Sequence, residues 1–285
     1  MSRGLIYSLG LLVAIAFGPP PACAQEPYVL GVFPRTSAKE THNKFTAMVR
    51  YLSATLGREV RLETSKDFDS FWRAVAAKRY DMVHFNQLHY LKSKKQFGYD
   101  VVLQNEEFGK TTIAAAIAVT KKSGIREVQQ LKGKKVVFGG GPTAMVSYVA
   151  AKYLLMDLGL AEGSFQEDFA LNPPNAMIAV FYDQAMAAGI GDVAPNFSTL
   201  GRNIDMDQME IIAKGEELPQ LPWAVRDGLG AQERKRFVDA LLELNNSVEG
   251  KQILSQAGLT GIREANDADY DGCRRIILRV TGEEL

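Results

Sequence analysis

Ile117–Tyr148 reads IAVTKKSGIREVQQLKGKKVVFGGGPTAMVSY. An apolar strand pattern (Ile117–Thr120) runs into a charged turn, a short helix pattern and a basic LKGKK corner. The strand Val136–Phe138 follows, then three glycines, and the spacing predicts a helix opening at Thr143. A Gly-rich turn between a strand and a helix N-terminus gathers unpaired backbone N–H groups at the positive end of the helix dipole. That is a cradle for an anion or a polar ligand. No Gly-Lys-Ser/Thr follows the glycines and the spacing is not that of a dinucleotide fingerprint, so a nucleotide loop is excluded.

The amino terminus bears on the compartment. Arg3 precedes an apolar run, Leu5–Phe17, which Pro19–Pro21 break before Ala22-Cys23-Ala24. This is the pattern of a secretory signal peptide over residues 1–24, too short with its flanks to span a bilayer. Pro20, where a lipoprotein signal carries Leu, argues against lipidation of Cys23. The mature chain is therefore expected to be soluble and periplasmic. It retains one cysteine, Cys273, in a helical pattern, so no intramolecular disulfide is expected. With 33 basic and 33 acidic residues the chain has no net field to recruit nucleic acid or an anionic membrane.

Strand and helix patterns alternate through the rest. Tyr28–Phe33, Glu59–Glu63, Met82–Phe85 and Val101–Leu103 read as strands. Lys39–Leu56, Phe68–Ala77 and Gln87–Gln96 read as helices between them. A second block places helices over Thr143–Leu158 and Ala176–Ala188, with a strand at Asp192–Ala194. Glu210–Ala213 and Trp223–Arg226 read as further strands, and helices fill the chain beyond Ala231. The class is α/β, with mixed sheets flanked by helices. Ligands in such sheets sit off the carboxyl ends of strands. The loops there carry Arg35 and Thr36, His84, Asn86 and Gln87, Gly140, Gly141 and Thr143, and Asn175 at an expected N-cap. His42 falls in the first helix, near the same loops. His84 and His89 are five apart, no His-Glu-x-x-His occurs, and no metal site is expected. No nucleophile–base set or paired carboxylates appear, and Glu106 and Glu107 read as solvated turn residues. Neither an enzyme nor a bound cofactor is expected.

Motifs in order along nearly the whole mature chain resemble the periplasmic solute-binding proteins of phosphate/phosphite/phosphonate-type ABC transporters. They are GVFP (Gly31–Pro34), YLSATLG (Tyr51–Gly57), KDFDSFWRAVAAKRYDMVHFNQLHY (Lys66–Tyr90), GIREVQQLKGKKVVFGGGPTAM (Gly124–Met145) and NAMIAVFYDQAMAAGIGDVA (Asn175–Ala194). The resemblance implies a type II, Venus-flytrap fold with the ligand cleft between two lobes. The first lobe would take 25–115 and 217–285, the second 116–216, with crossings near Thr112–Thr120 and Glu216–Val225. It also implies a monomer that hands a small-molecule ligand to an inner-membrane permease, or presents it to a sensor kinase or cyclase. Departures from the family pattern bear on the ligand. Phe68 stands where phosphonate binders commonly have Tyr, and Thr143-Ala144-Met145 where they have Ser-Thr-Ser. Asn86-Gln87 replaces Gly-Pro, and Asn175 replaces a His. Fewer hydroxyls remain, and the amides and imidazoles in their place suit a ligand with mixed donors and acceptors, or an oxyanion held mainly by backbone N–H groups; inorganic phosphate is not the expected best ligand.

Overall fold

The structure, a computed structural model, describes residues 26–285, so the expected signal peptide and Cys23 lie outside the described residues. Alternating apolar residues build a first parallel core from β1 (Tyr28–Val32), β2 (Val60–Thr64) and β3 (Met82–His84), with β1 in the middle. Helix α1 (Ala38–Leu56) covers β1 and β2. Ser37 caps it by accepting from the Glu40 amide at 3.2 Å, and Phe45, Met48, Leu52 and Leu56 form its buried stripe. Helix α2 (Phe68–Ala76) precedes β3, and α3 (Gln87–Phe97) leaves it directly. The chain then runs through β4 (Asp100–Glu106) and crosses to a second sheet at β5 (Thr112–Thr120).

That second sheet contains β6 (Lys135–Gly139), followed by a π-helical turn at Met145–Ala150 that continues as α4 (Ala151–Asp157). Next come β7 (Gln166–Ala170), α5 (Pro173–Phe181), β8 (Ala187–Gly191), the single-turn α6 (Ser198–Gly201) and β9 (Met209–Pro219). The chain returns through β10 (Pro222–Val225), helices α7 (Ala231–Glu243) and α8 (Val248–Ala257), β11 (Gly261–Glu264) and α9 (Asp271–Thr281). The first sheet runs β11-β4-β10-β3-β1-β2, the second β7-β6-β8-β5-β9, and both are mixed. The two-lobed α/β architecture expected from the sequence is present.

Several boundaries differ from expectation, each for a tertiary reason. β5 and β9 pair from Thr112↔Pro219 onward, so the divisions expected at 115/116 and 216/217 fall inside strands of the second sheet. The chain changes sheets at 107–111 and 220–221 instead. α5 begins at Pro173 and ends at Phe181, short of the expected Ala188, because Ala187–Gly191 is drawn in as a fully buried strand between β5 and β6. The strand expected at Asp192–Ala194 is therefore this one, displaced. β7 has an exposed, polar face and no apolar alternation to announce it. The helix expected to open at Thr143 starts at Met145, and its first turn is the wider, underwound π form. The Tyr148 and Val149 amides both donate to the Ala144 carbonyl at 3.1 Å.

The largest apolar cluster draws on both sheets, joining Phe85 and Leu221 to Ile113, Phe138 and Val146. A second cluster packs α1, α7 and α8 on the first sheet. The crossing at 107–111 is a tight turn in which Glu107 and Lys110 exchange backbone bonds of 3.0 Å. Cys273 is fully buried in α9, and burial pushes its thiol up to about 12, so it is a packing residue. No helix among the described residues is long and apolar enough to cross a membrane.

Candidate functional site

β3 ends in the cleft between the sheets, and the residues that follow it build one wall. Asn86 is the N-cap of α3. Its Oδ1 accepts from the His89 amide at 2.8 Å, and its Nδ2 donates across the cleft to the Thr143 carbonyl at 3.0 Å. Gln87 is wholly buried. Its Nε2 donates to the Pro219 carbonyl at 2.9 Å, and its Oε1 has no partner among the described residues. Arg35, just past β1, donates from Nη1 to Glu107 Oε1 at 2.9 Å, and its guanidinium lies 5.2 Å from the Phe197 ring centre. Glu107 is 3% exposed and also accepts from Asn105 Nδ2 at 3.0 Å. The sequence reading of Glu107 as a solvated turn residue is thus corrected. Its ion partner comes from a loop 72 residues earlier, which no local pattern reveals.

The opposite wall is the turn after β6. Gly139 packs so closely on α5 that a Cβ there would lie 2.4 Å from the Pro173 Cα, and the Gly140 amide donates to the Ala170 carbonyl at 2.8 Å. Beyond the turn, the amides of Met145, Val146 and Ser147 find no acceptor among the described residues, as the start of a helix requires. The Ser147 hydroxyl is held by the Gly139 carbonyl. α5 is capped by Asn172, which accepts from the Asn175 amide at 3.0 Å. Between the walls is a cavity of about 80 Å³, several times what one water molecule needs. Much of its surface is apolar, from Phe33, Phe68, Met145, Leu171, Val193 and Phe197.

The structure thus brings Arg35, Phe68, Asn86, Gln87 and Gly140 to the cavity wall. Thr143 reaches the site through its carbonyl only, and Gly141 is set back, with open space where a Cβ would go. Its need for glycine is conformational, with φ at 86°. Thr36 is turned to Thr41, hydroxyl to hydroxyl at 3.2 Å, outside the cavity. His42 is exposed on α1, because its position falls on the flank of the helix, outside the stripe that packs on the sheet. Asn175 is exposed in the first turn of α5, and the cap is Asn172. Pro173 and Pro174 following an Asn were the signal for that cap, since Pro favours N1. His84 lies behind the cavity, stacked on Trp223 at 4.4 Å with neither ring nitrogen bonded. His89 stacks on Phe68 at 5.1 Å. Burial pushes both imidazoles down to about 3, helped by Arg35 for His84 and by Lys92 for His89. Trp223 is fully buried and donates to Asn105 at 2.7 Å, a packing role. The apolar wall residues Phe33, Leu171 and Phe197 were not singled out from the sequence; only Phe33, within GVFP, stood in a quoted motif.

Two mixed sheets, two chain crossings and a cleft walled by the starts of helices from both sides define a type II periplasmic-binding-protein fold. The chain belongs to the family described as ABC transporter, phosphonate, periplasmic substrate-binding protein, whose model matches residues 30–270. Among solved structures it is similar to PhnD1 of Prochlorococcus marinus in complex with methylphosphonate. The identity there is 16%, with 90% of this chain and 98% of that one covered, and the TM-score is 0.79. It is similar to a binding protein component of an ABC phosphonate transporter from Pseudomonas aeruginosa, at 14% identity, 90% and 87% coverage and TM-score 0.78. A Xanthomonas citri protein bound to ATP matches at 15% identity, 90% and 98% coverage and TM-score 0.76. At these identities the structural likeness speaks for the fold.

Proposed function

We propose that this chain is an exported, monomeric receptor that closes its two lobes on a small phosphonate-like oxyanion and passes it to an ABC permease. The observation that carries this reading is the row of unpaired amides at Met145, Val146 and Ser147, residues of a cavity wall that Asn86, Gln87 and Arg35 complete from the other lobe. Charged oxygens on a buried ligand need donors, and these amides supply them without a hydroxyl cluster. The organic substituent lies against Phe33, Phe68 and Phe197, where an apolar group is favoured over water. Inorganic phosphate has nothing to place there. The family's transport role supports a permease as the partner, ahead of a sensor kinase or cyclase. The amino-terminal 24 residues act as the export signal in this reading.

A thermal-shift series with methylphosphonate, phosphite, phosphate, sulfate, amino acids and divalent metals tests the ligand class. A ligand at a hundred times its Kd stabilises by about 2.7 kcal/mol. Methylphosphonate is expected to raise Tm more than phosphate does, and to shrink the radius of gyration in solution scattering. Stabilisation by an amino acid or a metal alone, with no phosphonate effect, would reject the reading.

A further inference from the structure

Among the described residues, Gln87 is the one fully buried polar side chain in the cavity wall that has a free hydrogen-bonding atom. Its orientation is set: Nε2 is spent on the Pro219 carbonyl, and turning the amide over would face two oxygens. Oε1 is therefore an acceptor without a donor on a residue of the cavity wall, whereas the unpaired atoms of His84, His89 and Gln220 belong to residues outside that wall. The amides across the cavity satisfy the charged oxygens of a ligand but offer nothing to this atom. What it lacks is an O–H. Charge leads to the same requirement. Among the described residues Arg35 is the only charged side chain in the wall, and Glu107 already neutralises it. A doubly charged ligand would bring in twice the uncompensated charge of a singly charged one, at much higher cost in a mostly apolar cavity.

Resting on the phosphonate reading, we infer that Gln87 selects the singly charged, singly protonated form of the oxyanion by accepting a hydrogen bond from its P–OH. Gln87 takes the place of a residue without an acceptor side chain in the family pattern, so this is a specificity determinant of this chain. Of the titratable groups around the cavity floor, His84 and His89 are held neutral by burial, and Tyr90 and Tyr270 are raised, chiefly by burial. Arg35 and Glu107 are paired with each other. A pH response between 6 and 9 therefore reports the ligand's own proton.

The test is calorimetric binding of methylphosphonate and of methanesulfonate, which has the same shape and one charge but no O–H. Wild-type affinity for methylphosphonate should hold level at low pH, then fall about tenfold per unit above the ligand's second ionisation. At pH 6 methanesulfonate should bind at least about tenfold more weakly, and Gln87→Met, similar in size but without the acceptor, should bring the two within about threefold. The wild-type arms stand even if the variant fails to fold. Affinity that is flat or rises through the second ionisation, or equal binding of the two ligands by the wild type, overturns the inference while leaving the phosphonate reading in place. Failure of methylphosphonate to bind at any pH removes both.

Discussion

Asn86 and Thr143, in different lobes, are joined by a 3.0 Å hydrogen bond from side-chain amide to backbone carbonyl at the mouth of the cavity. The same side chain caps α3 through its oxygen. One residue therefore starts a helix and ties the two lobes together. Asn86→Ser keeps a capping oxygen and drops the donor, so it should cost about 1 kcal/mol. Asn86→Ala loses both and should cost about 2 kcal/mol. Urea unfolding separates the two, and solution scattering of the ligand-free protein should show the Ser variant expanded. Equal scattering from variant and wild type would show that the bond does not hold the lobes.

Removing Arg35 should strand a buried carboxylate. Arg35→Ala is expected to lower stability by about 1.5–3 kcal/mol, the range for a hydrogen bond to a charged group. The double variant Arg35→Ala/Glu107→Gln should regain part of that loss, since no charge is then left unpaired. A double variant no more stable than Arg35→Ala in urea would contradict this.

The buried imidazoles make stability depend on acid. An unfolded histidine titrates near 6.5, whereas His84 and His89 are pushed down to about 3, so the unfolded chain binds more protons between those limits. The stability of the neutral rings is complete above about pH 6.5 and is lost as pH falls toward 3, at up to about 1.4 kcal/mol per unit for each ring. His89→Phe should reduce the slope of unfolding free energy against pH between 4 and 6 relative to wild type. An unchanged slope would mean that His89 protonates freely in the folded protein. Neither ring lines the cavity, although the sequence places His84 in a cleft loop, so the pH effect of both falls on folding.

The glycines of the turn should separate by mechanism. Gly141→Ala meets no atom within 4 Å but must hold φ at 86°, which should cost about 1–2 kcal/mol. Gly139→Ala drives a methyl into the backbone of Pro173 and should cost more, because α5 must move off β6. Denaturant midpoints rank the two, and the reverse order would refute the packing argument. A Gly141→Val change therefore acts through strain, since the Cβ enters open space.

Much of this was readable from residue order. The apolar period of α1 and the Gly-rich turn after β6 are local signals, and they placed elements that carry the cleft. β8 was hidden because Ala187–Gly191 has weak strand propensity and is recruited by its neighbours on both sides. β7 is an edge strand with its polar residues outward, a pattern shared with loops. At the site, loop position pointed to Arg35, Asn86 and Gln87, which line the cavity wall, but it could not show which polar atoms would already be paired. That depended on Glu107 and Pro219, which arrive from distant strands.

β10 occupies the centre of the first sheet, between β3 and β4, although it is made only after every strand of the second sheet. A chain emerging from the ribosome or from an export channel therefore holds β3 and β4 with bare edges until Pro222–Val225 follows. Unpaired strand edges invite pairing with other chains. The first half of this protein is thus its most aggregation-prone species, and its folding waits on a late, long-range strand insertion.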